Sequence, residues 1–410
     1  MNDKELKAFH ENCKIVDIHC HPSLKMHLFG AHFIERNNPD HPQRSTGFDP
    51  FTTQVTYPKM VSGGMDVILS SIYLPEYGFL EFSDTVCLLK PLLSLFFDRV
   101  VSGVEKIGDP SYAYLQTKDI LKNFEDQVNK INDTYKYIRI PKNVAEFENA
   151  LAIDSKIVLH SIEGGHSLGR FNSGSAPMIE RIDSFLDEGV CLMTVGHFFR
   201  NDITESVIGF PPSMSNLMNF KYSYDNEKGL YEKGPDVISH MLDKGMIVDM
   251  VHCTREARKE IFKINDDRGD NKRPLVFSHT GLEFFTSMHD IQLNVTDDEI
   301  KKIQMCNGTI GIIFNNYLLT GYEDPSGSNT RFGIQSIVDS IQHVKHVTGS
   351  YDNVSIGTDL DGFTDPPDDI PDILDMPKIT KALLEVGISE EDIRKILGEN
   401  AIRVLREGWR

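Results

Sequence analysis

Apolar and polar positions alternate along this chain between two regimes, short buried runs and stripes at helical spacing. The buried runs fall at 15–21, 65–73, 156–163, 190–195, 246–251, 274–278, 308–314 and 354–359, each short and bounded by turn residues, as buried strands are. Between them the spacing predicts helices over 4–13, 178–188, from Pro235 to the Lys244-Gly245 stop, and about 333–347. Two further stripes, Val86/Leu89/Leu92/Leu93/Phe96 and Ile120/Phe124/Val128/Ile131, read as core-facing helices. Ser389 with Asp392 three residues on caps a last helix, whose Ile393, Ile396 and Leu397 cover the core. Residues 27–57, rich in Pro, Asn, Asp and His and without a period, read as a long loop in which His27, His32 and His41 meet solvent or local partners.

Eight strands interleaved with helices predict an α/β fold, a closed (β/α)8 TIM barrel. The whole chain, 1–410, reads as a single barrel domain carrying a long loop and helical insertion around 22–150. In such barrels the chemistry sits at the C-terminal ends of the strands.

The strand ends carry an unusual set of side chains. In the first strand, Ile15-Val16-Asp17-Ile18-His19-Cys20-His21-Pro22, alternation sends His19 and His21 to one face and Cys20 to the other, and Pro22 stops the ladder there. The third strand ends at Glu163 before Gly164-Gly165, with His160 on the opposite face. The fourth runs to Gly196-His197, the fifth delivers His252, the sixth His279 and the eighth Asp359. A single H-x-H means little, but His19, His21, Glu163, His252, His279 and Asp359 all falling at C-terminal strand ends is a pattern.

Imidazole and carboxylate without thiolate suit zinc or a similar divalent ion. Six such groups exceed the three protein ligands usual for one catalytic zinc, so the expectation is two divalent ions with Glu163 bridging them. A hydroxide between the ions would be the nucleophile and Asp359 the proton acceptor.

Composition narrows the partners. A formal net charge of −19 speaks against nucleic acid, whose binders carry a basic footprint. Six scattered cysteines without a C-x-x-C suggest reduced thiols, and no run approaches membrane-spanning length, so the protein reads as cytoplasmic with no membrane partner. A small-molecule substrate is implied, and a homodimer is compatible with the sequence.

Several segments resemble the membrane (renal) dipeptidase family, M19-like peptidases of the amidohydrolase superfamily. They are Glu163-Gly164-Gly165-His166-Ser167, Gly245-Met246-Ile247-Val248-Asp249 leading to His252, Ser278-His279, Asn315-Asn316-Tyr317, Gly357-Thr358-Asp359-Leu360-Asp361-Gly362 and Gly398-Glu399-Asn400-Ala401. The resemblance implies a zinc-dependent dipeptidase, a hydrolase active in proteolysis. Its zinc pair would be held by His19, His21, Glu163, His252 and His279, with Asp359 in proton transfer. His197 would polarise the scissile carbonyl or bind the tetrahedral intermediate.

Two positions depart from the family pattern. His21 stands where the family has an aspartate, and Leu293 where it has a carboxylate-binding arginine, with Arg200 and Arg331 as candidate replacements for substrate binding. H-x-H on a first strand also resembles the TatD-like deoxyribonucleases, a second reading that the length and acidic balance of this chain disfavour. A third reading is a barrel that only binds a ligand, against which stands the complete ligand set together with Asp359.

Overall fold

The computed structural model describes residues 2–34, 52–89, 106, 109, 111–135, 138–288, 291–322 and 333–410. Its centre is a closed barrel of eight parallel strands: β1 (Val16–Cys20), β2 (Val67–Tyr73), β4 (Lys156–Glu163), β5 (Val190–Thr194), β6 (Ile247–Asp249), β7 (Val276–Thr280), β8 (Thr309–Ile312) and β9 (Val354–Ile356). They pair in chain order and β9 closes on β1. The two-residue β3 (Ile138–Arg139) adds to the outside of β4, between β2 and β4 in sequence; two residues are too few to show a period, and the sequence reading passes over it.

The strands read correctly because they are buried on both faces, as parallel strands covered by helices must be. The longest contact, β2 with β4, pairs Val67 with Ile157 through to Tyr73 with Glu163 and brings the second and third predicted strands into one unbroken ladder. Outward-facing residues meet helices. His160, on the face opposite Glu163, donates from Nε2 to Glu125 Oε1 at 3.1 Å, on the helix Tyr112–Tyr135. That helix buries Ile120, Phe124, Val128 and Ile131, the predicted stripe.

The far end of the barrel is sealed by the segment Glu390–Gly408. Ser389 caps it through the Asp392 N–H, and Ile393, Ile396 and Leu397 are buried. A Cβ on Gly398 would lie 2.0 Å from the Lys14 carbonyl oxygen, so only glycine lets this turn reach the base of β1.

Two expectations are corrected. The loop expected from His27 starts later: Pro22–Phe29 is a helix, with Pro22 at the first position, where its missing N–H costs nothing, and its last turn takes in His27. The stripe through Val86 and Leu89 is not core. Val86 lines a cavity and Leu89 is 42% exposed, while Leu92, Leu93 and Phe96 lie outside the described residues. Helical spacing reports one apolar face without saying whether a core or a cavity meets it. His41 also lies outside the described residues. No helix among them is long and apolar enough to cross a membrane, and the six cysteines are all free.

Candidate metal centre

Beneath the C-terminal rim lies a layer of buried polar groups that fixes what stands above it. Asp249, the last residue of β6, accepts hydrogen bonds from the Ser278 hydroxyl at 2.6 Å, the Ser278 N–H at 2.9 Å and the Thr194 hydroxyl, linking β5, β6 and β7. Asp17 does the same between β1 and the end of β9, accepting from the Thr358 hydroxyl at 2.6 Å and the Thr358 N–H at 3.0 Å. Burial pushes the Asp17 carboxyl up to about 7 against these bonds, and raises Asp249 for the same reason.

Ser278 carries the order one step further. Its single proton goes to Asp249, so its Oγ accepts from His19 Nδ1 at 3.0 Å and from His279 Nδ1 at 2.9 Å. Both imidazoles then carry their proton on Nδ1 and present an Nε2 lone pair to the barrel mouth. Burial holds both neutral, His279 down to about 4 and His19 well below its ordinary value. A hydrogen-bonded Nδ1 that fixes the tautomer is the usual support of a metal-ligating histidine.

The Nε2 atoms converge on Glu163. Its Oε1 lies 3.5 Å from His19, 3.5 Å from His252 and 3.4 Å from His279; its Oε2 lies 3.2 Å from His21 and 3.4 Å from His197. Alternation on β1 is confirmed, with the His19 and His21 Nε2 atoms 3.0 Å apart. Asp359 Oδ1 stands 3.3 Å from His21 Nε2 and 3.9 Å from His19 Nε2. The structure thus brings together His19, His21, Glu163, His252, His279, Asp359 and His197.

Two of these residues reach the site in strained backbone. His252 and Asp359 each lie three residues beyond a strand end with φ of +65° and +59°, a conformation that costs non-glycine residues free energy and gathers at functional sites. Gly362 makes room beside Asp359, since a Cβ there would lie 2.3 Å from Oδ1.

Burial depresses His197 well below its ordinary value and the Glu163 charge only partly offsets this. His21 is the exception. Burial would depress it, but the Glu163 carboxylate and the hydrogen bonds to Asp359 and Glu163 outweigh that and lift it to about 10. Without a metal ion, His21 therefore holds a proton between two carboxylates.

The donor set fits divalent ions. Glu163 Oε1 has no hydrogen-bond donor among the described residues although buried, and the imidazoles of His19, His252 and His279 face it. A buried carboxylate oxygen in that state is costly unless a cation satisfies it. Three triads among the described residues, His19/Asp249/His279, His19/His21/Asp359 and Glu163/His197/His252, have ligand atoms close enough to share an ion, and imidazole with carboxylate is zinc-type chemistry.

His197 sits closer to this set than its expected substrate-binding role alone requires, and its partner was missed. Glu76, just after β2, is buried; its Oε2 lies 2.8 Å from His197 Nδ1, and its Oε1 accepts from the Phe199 N–H at 3.2 Å. Burial raises its carboxyl. Its one sequence signal was a carboxylate soon after the second strand, in Pro75-Glu76-Tyr77-Gly78.

Above the cluster opens a cavity of about 750 Å³, floored by His21, Glu163, His197, His252, His279 and Asp359. Leu293 lines it, and a Cβ on Gly209 would be wedged between His252 Cε1 at 3.2 Å and Leu293 Cδ2 at 3.3 Å. Arg200 is not brought to this cavity. It is exposed, with its guanidinium 5.8 Å from the Phe82 ring. Arg331 lies outside the described residues.

A closed parallel barrel with a buried histidine–carboxylate cluster at its C-terminal mouth has the (β/α)8 architecture of the metal-dependent hydrolase type. The chain belongs to the membrane dipeptidase family, peptidase family M19, which it matches over residues 3–408. Among curated relatives it is similar to dipeptidase tcpJ of Claviceps purpurea, 29% identical over 61% of this chain and 50% of that protein. An uncharacterized dipeptidase of Schizosaccharomyces pombe, C3A11.10c, is 27% identical over 59% of this chain and 51% of that one. The chain thus spans about half the length of the curated relatives it matches.

The fold is shared with solved structures at low identity. A metallopeptidase from Rhodobacter sphaeroides, solved with a phosphinate mimic of the dipeptide L-Ala-D-Ala, superposes with a TM-score of 0.70 at 17% identity, covering 97% of this chain and 99% of that one. The probable dipeptidase PvdM from Pseudomonas aeruginosa gives 0.70 at 15% identity, over 98% of this chain and 97% of that one.

Proposed function

We propose that this protein is a zinc-dependent hydrolase that cleaves the amide bond of dipeptides or similar small amides. The observation that carries the reading is the convergence of five imidazole Nε2 atoms on the two oxygens of Glu163, at the floor of a cavity large enough for such a substrate. Membership of the dipeptidase family supports the same reaction class.

His19, His21, Glu163, His252 and His279 would hold two divalent ions, with Glu163 between them. When bound, such a pair lowers the pKa of a water to make a nucleophile at neutral pH and polarises the amide carbonyl. The residues of the chain supply the proton transfers and the orientation. Asp359 Oδ1, facing the cavity, accepts the proton of the attacking water and returns it to the leaving amine. Glu76 pins His197 by Nδ1, so that Nε2 is the atom turned to the reacting groups, where an Nε2–H donates to the carbonyl oxygen as charge develops. This needs Nδ1 to accept from a protonated Glu76, and burial raises that carboxyl. The Nδ1 bonds of His19 and His279 to Ser278 keep two ligands from rotating as the substrate enters.

The test is direct. Chelator-treated protein should lack activity on a panel of dipeptides, zinc should restore it, and His252→Ala should abolish both restoration and zinc uptake. Hydrolysis that survives chelation refutes the reading.

A further inference from the structure

The walls of the cavity say more about the substrate than its floor does. From His197 an aromatic sheet runs outward, with Phe198 3.8 Å from the His197 ring and Phe210 4.2 Å from Phe198 by centroid, and Phe79 5.9 Å from Phe198. Met214 and Leu293 continue this surface. Among the described residues no lysine or arginine lines the cavity, and apart from histidines its charged lining groups are Glu163, Asp359 and Asp365, all acidic.

A carboxylate on the substrate would have to shed water into this chamber beside apolar rings and carboxylates, which is expensive for an unpaired charge. The metal-binding floor does not relieve it, because the scissile bond must occupy that place and a terminal carboxylate lies further out along the wall. An aromatic or other large apolar group meets the wall on favourable terms. The formal charge of −19 adds a general repulsion of anions.

We propose that the substrate is a small amide whose part beyond the scissile bond is large, apolar and uncharged, such as an aromatic amino-acid amide or other blocked terminus, and not a free dipeptide acid. This rests on the metal-dependent hydrolase reading for the position of the scissile bond, and on the aromatic wall for everything else. The wall-lining Phe210 and Met214 are then specificity residues. Both are half-buried, on a segment apart from the ligand-bearing strand ends, so substitution there leaves the floor intact.

Binding separates this proposal from catalysis. Calorimetry on the zinc-loaded full chain would compare three non-cleavable analogues in which CH2–NH replaces the peptide bond: Ala-Phe as its C-terminal amide, Ala-Phe as the free acid, and Ala-Ala as the amide. The Phe amide should bind at least about 10-fold more tightly than the free acid and about 10-fold more tightly than the Ala amide. Met214→Lys should reverse the first preference, and Phe210→Ala should erase most of the second. An acid that binds as well as the amide, or a Phe side chain that gains nothing over Ala, overturns the proposal. If these preferences hold but Ala-Phe amide is not cleaved, the hydrolase reading falls and the account of the wall stands.

Discussion

Glu163→Gln in the metal-free protein probes the cluster where its electrostatics are most exposed. The substitution keeps the shape of the side chain and removes the charge that, with Asp359, holds a proton on His21. A rise from the ordinary 6.5 to about 10, at 1.36 kcal/mol per pH unit, corresponds to about 5 kcal/mol. The folded value lies above the unfolded one, so this stabilisation is fully present below about pH 6.5 and is lost as pH rises toward 10. Urea unfolding in excess chelator at pH 6.5, 8 and 10 should therefore show the wild type losing several kcal/mol more over this interval than the variant does. The difference between the two proteins is the quantity to read, since lysines and cysteines titrate in both. Parallel pH dependences would show that no proton is shared between His21 and Glu163. The same proton must leave when metal enters, so zinc binding to the wild type near pH 7 should release more protons than binding to the variant.

Three substitutions test the assigned roles. Asp359→Asn should lower kcat about 10²- to 10⁴-fold with zinc content unchanged, as assayed by dipeptide turnover and elemental analysis; loss of the metal would make Asp359 a ligand instead. Glu76→Leu, which can make no hydrogen bond to Nδ1, should lower kcat with little change in KM or zinc content, because His197 loses its orientation and no substrate contact is removed; an unchanged kcat would free His197 from that dependence. Gly362→Ala places a carbon 2.3 Å from Asp359 Oδ1 and should reduce activity more than thermal stability, which paired melting and turnover measurements would check.

Much of this centre was readable because its geometry is local. His19 and His21 share a face by the two-residue period of β1, and Glu163 stands at the end of a buried strand bounded by glycine, a boundary that sequence marks clearly. The same holds for the barrel, whose strands are continuous apolar runs. What escaped depends on partners far along the chain. Glu76 means little until the fold sets it 2.8 Å from His197, 121 residues on. Asp17 and Asp249 sit within apolar runs, and nothing in their neighbourhood announces that Thr358 and Ser278 will arrive as donors. Leu89 failed for a related reason, since its stripe fits a core helix as well as a helix at a cavity rim. Arg200 shows the limit of sequence distance, standing three residues from His197 and yet outside the cavity.

The central claim is that a zinc pair held by this cluster hydrolyses small amides, and a zinc titration of the chelator-treated chain tests it most directly, with the initial rate on a cleavable amide followed at each addition. Two substrates, Ala-Phe and Ala-Phe amide, guard against a choice that the cavity wall excludes. The account predicts no activity without metal and a rate that rises to a plateau at two equivalents of zinc per chain. A plateau at one equivalent would remove Glu163 as a bridge, and a rate indifferent to zinc, or absent on both substrates at saturation, would contradict the account.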